Sequence, residues 1–178
     1  QDTHGLLDLP APALTGLHQI MNAGTAIAAA RQLNLPESAI REGLAAATWR
    51  ARLQRLSSGA LVARVQHQAP HARLWLDGGH NAAAAQVLSG WAQSLAGTPL
   101  KTQSGETRLD IILAMLNTKA HADFLENLKP LAPFAQLHCV PIDGQPNAIS
   151  PDVLARAAGK VGLKARAHDS LRAALEAV

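Results

Sequence analysis

The segment Leu74-Trp75-Leu76-Asp77-Gly78-Gly79-His80-Asn81 is the most informative part of this sequence. Its apolar start predicts a strand over residues 73–76, and the acid and two glycines that follow predict a turn into a helix over residues 81–96. In open α/β sheets, ligands bind beyond the carboxyl ends of the strands, where glycines let the backbone approach a ligand and a helix start offers N–H groups. Asp77 and His80 are therefore candidate ligand-binding residues.

The rest of the chain alternates between strand and helix patterns. A Pro-containing connector over residues 1–15 precedes two helices, one over residues 16–33 and one that starts at Pro36. Further strands are predicted over residues 61–65, 109–115, 135–140 and 165–168, further helices over 121–128, 152–158 and 171–178, and loops over 97–107 and 141–151. The alternation predicts an α/β fold with a mostly parallel sheet flanked by helices and right-handed crossovers. We place the domain boundary after residue 47.

The composition narrows the class of ligand. The chain has 178 residues, of which 48% are apolar, enough for a substantial core. Aromatic residues make up only 3% and tyrosine is absent, which argues against a surface that stacks single-stranded nucleic acid. The net charge of +3 is spread along the sequence, which suits a phosphate-bearing ligand but not a nucleic-acid interface.

The sequence also bears on the cellular setting. A single cysteine, Cys139, allows neither an internal disulfide nor a metal site built from several cysteines. The sequence contains no apolar run of the roughly 18 residues that a membrane span requires, and no signal peptide. We therefore expect a cytoplasmic protein without a membrane or nucleic-acid partner. Because the sequence starts at Gln1 within a polar stretch, we also expect a piece of a longer polypeptide.

Two upstream segments carry side chains suited to a nucleotide. In the predicted first helix, Gln19 and Asn22 are three apart and share a face, and an exposed Asn can bond the edge of an adenine ring. In Trp49-Arg50-Ala51-Arg52, a guanidinium at a domain junction suits a phosphate. The alternatives are a polar edge on an amphipathic helix for the first segment, and a solvated arginine beside a packed tryptophan for the second.

The segment after the predicted strand over residues 73–76 has its own alternatives. Asp77 can accept both hydroxyls of a ribose, and a neutral His80 near a helix start can orient a polar ligand. Asn81 is equally well explained as the N-cap of the next helix. Elsewhere, His138-Cys139 is interpreted as core, and Gly159-Lys160-Val161 is not a phosphate-binding loop, because the earlier glycine and the following Ser or Thr are missing.

Taken in order, these segments resemble folylpolyglutamate synthase / dihydrofolate synthase, a family of the Mur ligase superfamily. The resemblance rests on Leu17-His18-Gln19-Ile20-Met21-Asn22-Ala23, Trp49-Arg50-Ala51-Arg52-Leu53-Gln54, Leu76-Asp77-Gly78-Gly79-His80-Asn81 and Ala114-Met115-Leu116-x-x-Lys119. It extends over nearly the whole chain. It implies a Rossmann-like Mur ligase C-terminal domain over residues 48–178, preceded over residues 1–47 by two helices from the end of an N-terminal ATPase domain.

The resemblance also implies a reaction. In this family ATP phosphorylates a carboxylate of dihydropteroate or a folate, and the amino group of L-glutamate attacks the acyl phosphate. Asn22, Arg52 and Asp77 match the family's nucleotide contacts, and His80 matches the motif histidine, for which the resemblance implies a catalytic role in the cleft between domains. The resemblance places the phosphate-binding loop, the Mg²⁺ ligands and most of the folate site in the N-terminal ATPase domain. This chain alone is therefore expected to be inactive, and the parent enzyme is expected to be a monomer.

The sequence departs from the family pattern at several positions. Arg50-Ala51 replaces the usual Pro-Gly, Ala82 replaces a Pro, and Ala120 replaces the acid that usually follows the lysine. Two alternatives stay open. A cell-wall Mur ligase shares fold and chemistry but typically carries a Tyr where this chain has Gly78-Gly79. The second alternative is a non-catalytic α/β interaction module, in which the motifs have only a structural role.

Overall fold

The computed structural model describes residues 5–96 and 108–178, which form two compact units. The first unit contains the described residues up to Ser57 together with Arg73–Gly78, and the second contains Ser58–Ala72 and the described residues of Gly79–Val178. The predicted loop over residues 97–107 lies outside the described residues. The domain boundary after residue 47 stays a prediction.

Two helices open the first unit, as predicted. They are α1 (Leu17–Gln32) and α2 (Glu37–Ala46). Just beyond α1, Asn34 has a left-handed backbone with φ of 56°, a conformation that terminates helices and that asparagine tolerates better than most residues. α2 buries Ile40 and Leu44, which lie four apart and therefore on one face.

The first unit also contains an antiparallel pair of strands, β1 (Gln54–Leu56) and β2 (Leu74–Leu76). β2 confirms the strand predicted over residues 73–76. The predicted sheet is mostly parallel, whereas β2 pairs with β1 in a separate antiparallel sheet of two strands. Its partner β1 was not predicted, because Gln54-Arg55-Leu56 is short and carries no apolar run from which a strand can be recognised.

A three-stranded parallel sheet forms the centre of the second unit. Its strand order is β3 (Leu109–Leu113), β4 (Ala135–Cys139), β5 (Lys164–Ala167). The connections contain α5 (His121–Leu128), which leads into a short 3₁₀ turn, and α6 (Pro151–Lys160). These elements confirm the predicted α/β architecture, and their bounds lie within about two residues of the predicted ones.

Three further helices belong to the second unit: α3 (Ala60–Gln68), α4 (Ala82–Ala96) and α7 (Leu171–Glu176). α4 and α7 were predicted. The strand predicted over residues 61–65 is wrong, because these residues lie in α3. Val62 and Val65 are both buried at the three-residue spacing of a helix face, and a short apolar run does not distinguish a strand from a helix.

The core of the second unit packs between the parallel sheet and its helices. Its least exposed side chains are Ala85, Phe124, Leu125, Leu128, Leu131, Leu137, Cys139, Leu154 and Ala158. The interpretation of His138-Cys139 as core is confirmed, since neither residue is exposed. Burial raises the pKa of the Cys139 thiol to about 11. Within the part of the chain that the structure describes, no helix is long and apolar enough to cross a membrane.

Candidate functional site

The candidate site is built around the turn that follows β2. Asp77 Oδ2 accepts a hydrogen bond from the Leu53 N–H at 2.7 Å, and the Gly78 N–H donates to the Ala51 carbonyl at 2.9 Å. The Gln54 side-chain oxygen accepts from the Ala51 N–H at 3.0 Å. Two of these bonds hold residues 51–53 against Asp77 and Gly78, which directly follow β2. We call residues 51–53 with Asp77 and Gly78 the Asp77 corner.

The backbone of the Asp77 corner is strained. Ala51 and Leu53 have φ angles of 54° and 43°, in the left-handed region that costs an L-residue roughly 1–2 kcal/mol. The Leu53 side chain is only 2% exposed, and its burial helps to offset that cost. Glycine is the residue that adopts this conformation without the penalty. The departure from the family's glycine at position 51 therefore has a physical consequence.

Arg52 lies between the two left-handed residues and is exposed, whereas Asp77 is partly buried. Because the main chain on both sides of Arg52 is bonded to Asp77 and Gly78, the arginine is held at this corner. The structure therefore brings together the segments of two predicted site residues, Arg52 and Asp77, which are 25 positions apart in the sequence. A cation and a carboxylate at one corner suit a ligand with both phosphate and hydroxyl groups.

Asn22 is exposed on α1, and its side-chain amide is oriented by a row of hydrogen bonds. Asn22 Nδ2 donates to Gln19 Oε1 at 3.0 Å, and Gln19 Nε2 lies 3.0 Å from His18 Nε2. Gln19 is only 5% exposed, so the row is anchored in the packed side of the helix. At the start of α1, Gly16 has φ of 111°, and a Cβ there would lie 2.6 Å from the His18 ring. The positive φ favours glycine at this position, and any side chain would also require the His18 ring to move.

His80 lies in the second unit, whereas the three predicted nucleotide contacts lie in the first. The side chain of His80 is exposed. Its neighbour Asn81 accepts a hydrogen bond from the Ala84 N–H at 2.9 Å, which is the geometry of an N-cap on α4. The interpretation of Asn81 as a helix cap is confirmed, and the role of His80 stays a prediction.

The loop that follows β3 carries the fourth segment of the family resemblance. The Met115 carbonyl accepts from the Ile149 N–H at 2.9 Å, and the Asn117 N–H donates to the Asn147 carbonyl at 2.7 Å. These bonds fasten the long loop after β4 to the loop after β3, at the carboxyl ends of two parallel strands. Lys119 is partly buried in this region.

A chain of polar side chains that the sequence pattern does not predict crosses the parallel sheet. His138 Nε2 lies 3.0 Å from Asp110 Oδ1, and His138 Nδ1 lies 2.9 Å from His168 Nε2. The two histidine rings are stacked with centroids 5.0 Å apart, and Arg108 pairs with Asp110 at 2.8 Å. The available signal was the acid at position 110, within the otherwise apolar strand Leu109–Leu113.

Residues 5–96 and 108–178 contain no group of three His, Cys, Asp or Glu side chains arranged to hold a metal ion. No protein-family model matches the sequence, and the comparison with curated proteins gives no match.

Solved structures do match. The chain is 30% identical to Mycobacterium tuberculosis folylpolyglutamate synthase complexed with ADP and AMPPCP, with a TM-score of 0.69 over 93% of this chain and 34% of that one. It is 26% identical to ligand-free bifunctional folylpolyglutamate synthase/dihydrofolate synthase from Yersinia pestis, with a TM-score of 0.70 over 97% of this chain and 35% of that one. A bifunctional folylpolyglutamate synthase/dihydrofolate synthase with Mn, AMPPNP and L-glutamate bound is 25% identical, with a TM-score of 0.67 over 97% of this chain and 35% of that one. The predicted resemblance is confirmed, and the chain spans about a third of the length of each of these structures.

Proposed function

We propose that this chain, a relative of the folylpolyglutamate synthases, is the C-terminal part of an ATP-dependent folate ligase. The complete enzyme adds L-glutamate to dihydropteroate, to reduced folates, or to both. In this proposal residues 1–47 contribute the last helices of an ATPase domain, and residues 48–178 form the domain that completes the active site. The bound ADP, AMPPCP, AMPPNP and L-glutamate named for the related structures support a nucleotide and an amino acid as ligands.

The observation that carries this proposal is the Asp77 corner. In the proposed complex the Asp77 carboxylate accepts the ribose hydroxyls and the Arg52 guanidinium bonds phosphate oxygens. Asn22 bonds the adenine edge through the amide that Gln19 orients. The 2.7 Å bond from the Leu53 N–H to Asp77 couples the first two contacts, because a shift of the acid moves the segment that holds the arginine.

The proposed reaction has two steps. The substrate carboxylate takes the γ-phosphoryl group of ATP, so that a carboxylate oxygen–phosphorus bond forms and ADP leaves. The amine of L-glutamate then attacks the acyl carbon, an amide bond forms, inorganic phosphate leaves and the amine nitrogen loses a proton. We place His80 at this reaction as the catalytic side chain of the present chain, through the matching of its motif to the family.

Mg²⁺ is proposed to accompany ATP in the complete enzyme and to neutralise charge on its phosphates. The described residues of this chain do not form a three-ligand group for it. Following the family resemblance, the proposal assigns the Mg²⁺ ligands and the phosphate-binding loop to the ATPase domain. It follows that the 178-residue chain alone has no ligase activity.

The experiment uses the complete polypeptide that contains this chain, supplied with ATP, Mg²⁺, L-glutamate and either dihydropteroate or tetrahydrofolate. Phosphate release and product mass are followed together. We expect phosphate release that requires both glutamate and the pterin substrate, with a product that has gained glutamate. The same assay on the 178-residue chain is expected to show no turnover.

Two results would contradict the proposal. Turnover only with a nucleotide-sugar peptide acceptor would identify a cell-wall Mur ligase. Absence of ATP hydrolysis and ligation with every acceptor, in a polypeptide shown to be folded, would favour a non-catalytic interaction module.

A further inference from the structure

The Asp110–His138–His168 chain ends at a recess on the carboxyl edge of the parallel sheet. His168 is the first residue after β5, and the recess of about 310 Å³ that it lines lies where β4 and β5 end and α6 begins. The other lining residues are Pro141, Pro151, Asp152, Ala167 and Asp169. Carboxyl edges of parallel strands are where α/β proteins bind ligands. None of the predicted nucleotide contacts lines this recess.

The hydrogen-bond chain determines which nitrogen of His168 carries a proton. The Asp110 carboxylate can only accept, so the bond to it requires a proton on His138 Nε2. Arg108 pairs with Asp110, and His138 is fully buried. A neutral imidazole has one N–H donor and one acceptor nitrogen. His138 Nδ1 is then an acceptor and His168 Nε2 carries the proton that it accepts. This leaves Nδ1 of a neutral His168 as a hydrogen-bond acceptor.

The pKa of His168 is lowered from its ordinary value, which favours the neutral ring at physiological pH. Burial is the largest cause of this lower pKa, and the cationic Arg166 lowers it further, whereas Asp169 acts in the opposite direction. A neutral ring with a fixed tautomer accepts a hydrogen bond but carries no charge to attract an anion.

The other polar groups of the recess favour a cation. Asp152 and Asp169 contribute two carboxylates. The recess also borders the start of α6, whose positive end would favour an anion, but Asp152 in its first turn already opposes that charge. Pro151 at the helix start has no N–H to donate to an anion.

We propose that this recess binds the ammonium group of a small amino compound, with His168 Nδ1 as hydrogen-bond acceptor and Asp152 and Asp169 as counter-charges. The identity of that compound rests on the proposed function, because a ligase that attaches an amino acid must hold an amine. In that setting Asp110 and His138 are positioning residues that fix the tautomer of His168.

The test is a titration of the 178-residue chain, labelled with ¹⁵N in its histidines, at pH 7.5. Methylammonium chloride is the probe, and tetramethylammonium chloride at equal ionic strength is the control cation, since it carries the same charge without an N–H donor. We expect a spectrum of His168 with its proton on Nε2, and a saturable shift of the Nδ1 resonance with methylammonium only.

Substitutions then locate the site. Asp152→Asn and Asp169→Asn are expected to weaken methylammonium binding at least threefold each. Asp123→Asn is the matched control, because Asp123 lies in the first turn of α5 as Asp152 lies in the first turn of α6, and it should leave binding unchanged.

Three results would overturn the proposal: a proton on Nδ1 of His168, equal shifts with both cations, or binding that is indifferent to Asp152→Asn and Asp169→Asn. The titration contains neither nucleotide nor folate. A failed titration would therefore contradict the ammonium site without affecting the proposed ligase activity. Conversely, a complete polypeptide without ligase activity would not contradict a positive titration.

Discussion

Replacing Ala51 by glycine should stabilise the first unit, although glycine substitutions usually destabilise. Ala51 has φ of 54°, which costs an L-residue roughly 1–2 kcal/mol. Glycine removes that cost. Glycine also has more conformational freedom in the unfolded chain, and this lowers the free energy of unfolding by about 0.4–1 kcal/mol. The net effect of Ala51→Gly is an increase of about 0.5–1 kcal/mol in the free energy of unfolding.

The matched control is Ala47→Gly. Ala47 has φ of −59°, which alanine adopts without strain, so glycine there only adds unfolded-state freedom and should cost about 0.4–1 kcal/mol. The two variants should therefore move in opposite directions, although they lie only four residues apart.

Urea unfolding measures the difference. Trp49 and Trp75 lie in the first unit and Trp91 in the second, so a Trp91→Phe background makes tryptophan fluorescence report on the first unit alone. With a slope of roughly 2 kcal/mol per molar urea, the midpoint should rise by about 0.3–0.5 M for Ala51→Gly and fall for Ala47→Gly. If Ala51→Gly lowers the midpoint as Ala47→Gly does, the left-handed conformation of Ala51 is refuted.

Three further substitutions or reactions test local features. Gly16→Ala should lower the free energy of unfolding by more than about 1 kcal/mol, because a side chain is strained at φ of 111° and the His18 ring, 2.6 Å from an added Cβ, would have to move. A loss under roughly half that value in urea would contradict this. Asn81→Ala should cost about 1 kcal/mol through loss of the α4 cap, and an unchanged melting temperature would count against the cap. Cys139, with its pKa raised to about 11, should react with a thiol reagent at pH 8 far more slowly in the native chain than in urea; equal rates would show that the thiol is accessible.

The α/β part of the fold could be predicted because its signals are local. The alternation of strand and helix patterns places β3, α5, β4 and α6 nearly at their observed bounds. α3 was mistaken for a strand because a run of five residues containing Val62 and Val65 fits either period. The β1–β2 pairing could not be predicted, since it is a tertiary contact between two three-residue segments that are far apart in the sequence. The hydrogen bonds of Asp77 and Gly78 with residues 51–53 lie beside it and are tertiary contacts too.

In the candidate site, too, residue types could be predicted from the sequence, whereas features that depend on tertiary structure could not. The motifs predict Asp77 and Arg52 as candidate site residues by residue type and order, but they do not predict the left-handed backbone on either side of Arg52. The Asp110–His138–His168 chain depends on strand order and register, neither of which an isolated sequence supplies.

The most direct test of the proposed nucleotide site is the KM for ATP of the complete polypeptide carrying Asp77→Asn. Asparagine keeps an oxygen that can accept from the Leu53 N–H, so the Asp77 corner should stay folded, but it loses the charge that strengthens bonds to ribose hydroxyls. We predict a rise of roughly tenfold or more in the KM for ATP, with little change in the KM for glutamate. The matched Asp123→Asn variant should behave as the unsubstituted enzyme. An Asp77→Asn enzyme with an unchanged KM for ATP would contradict the assignment of Asp77 to the nucleotide.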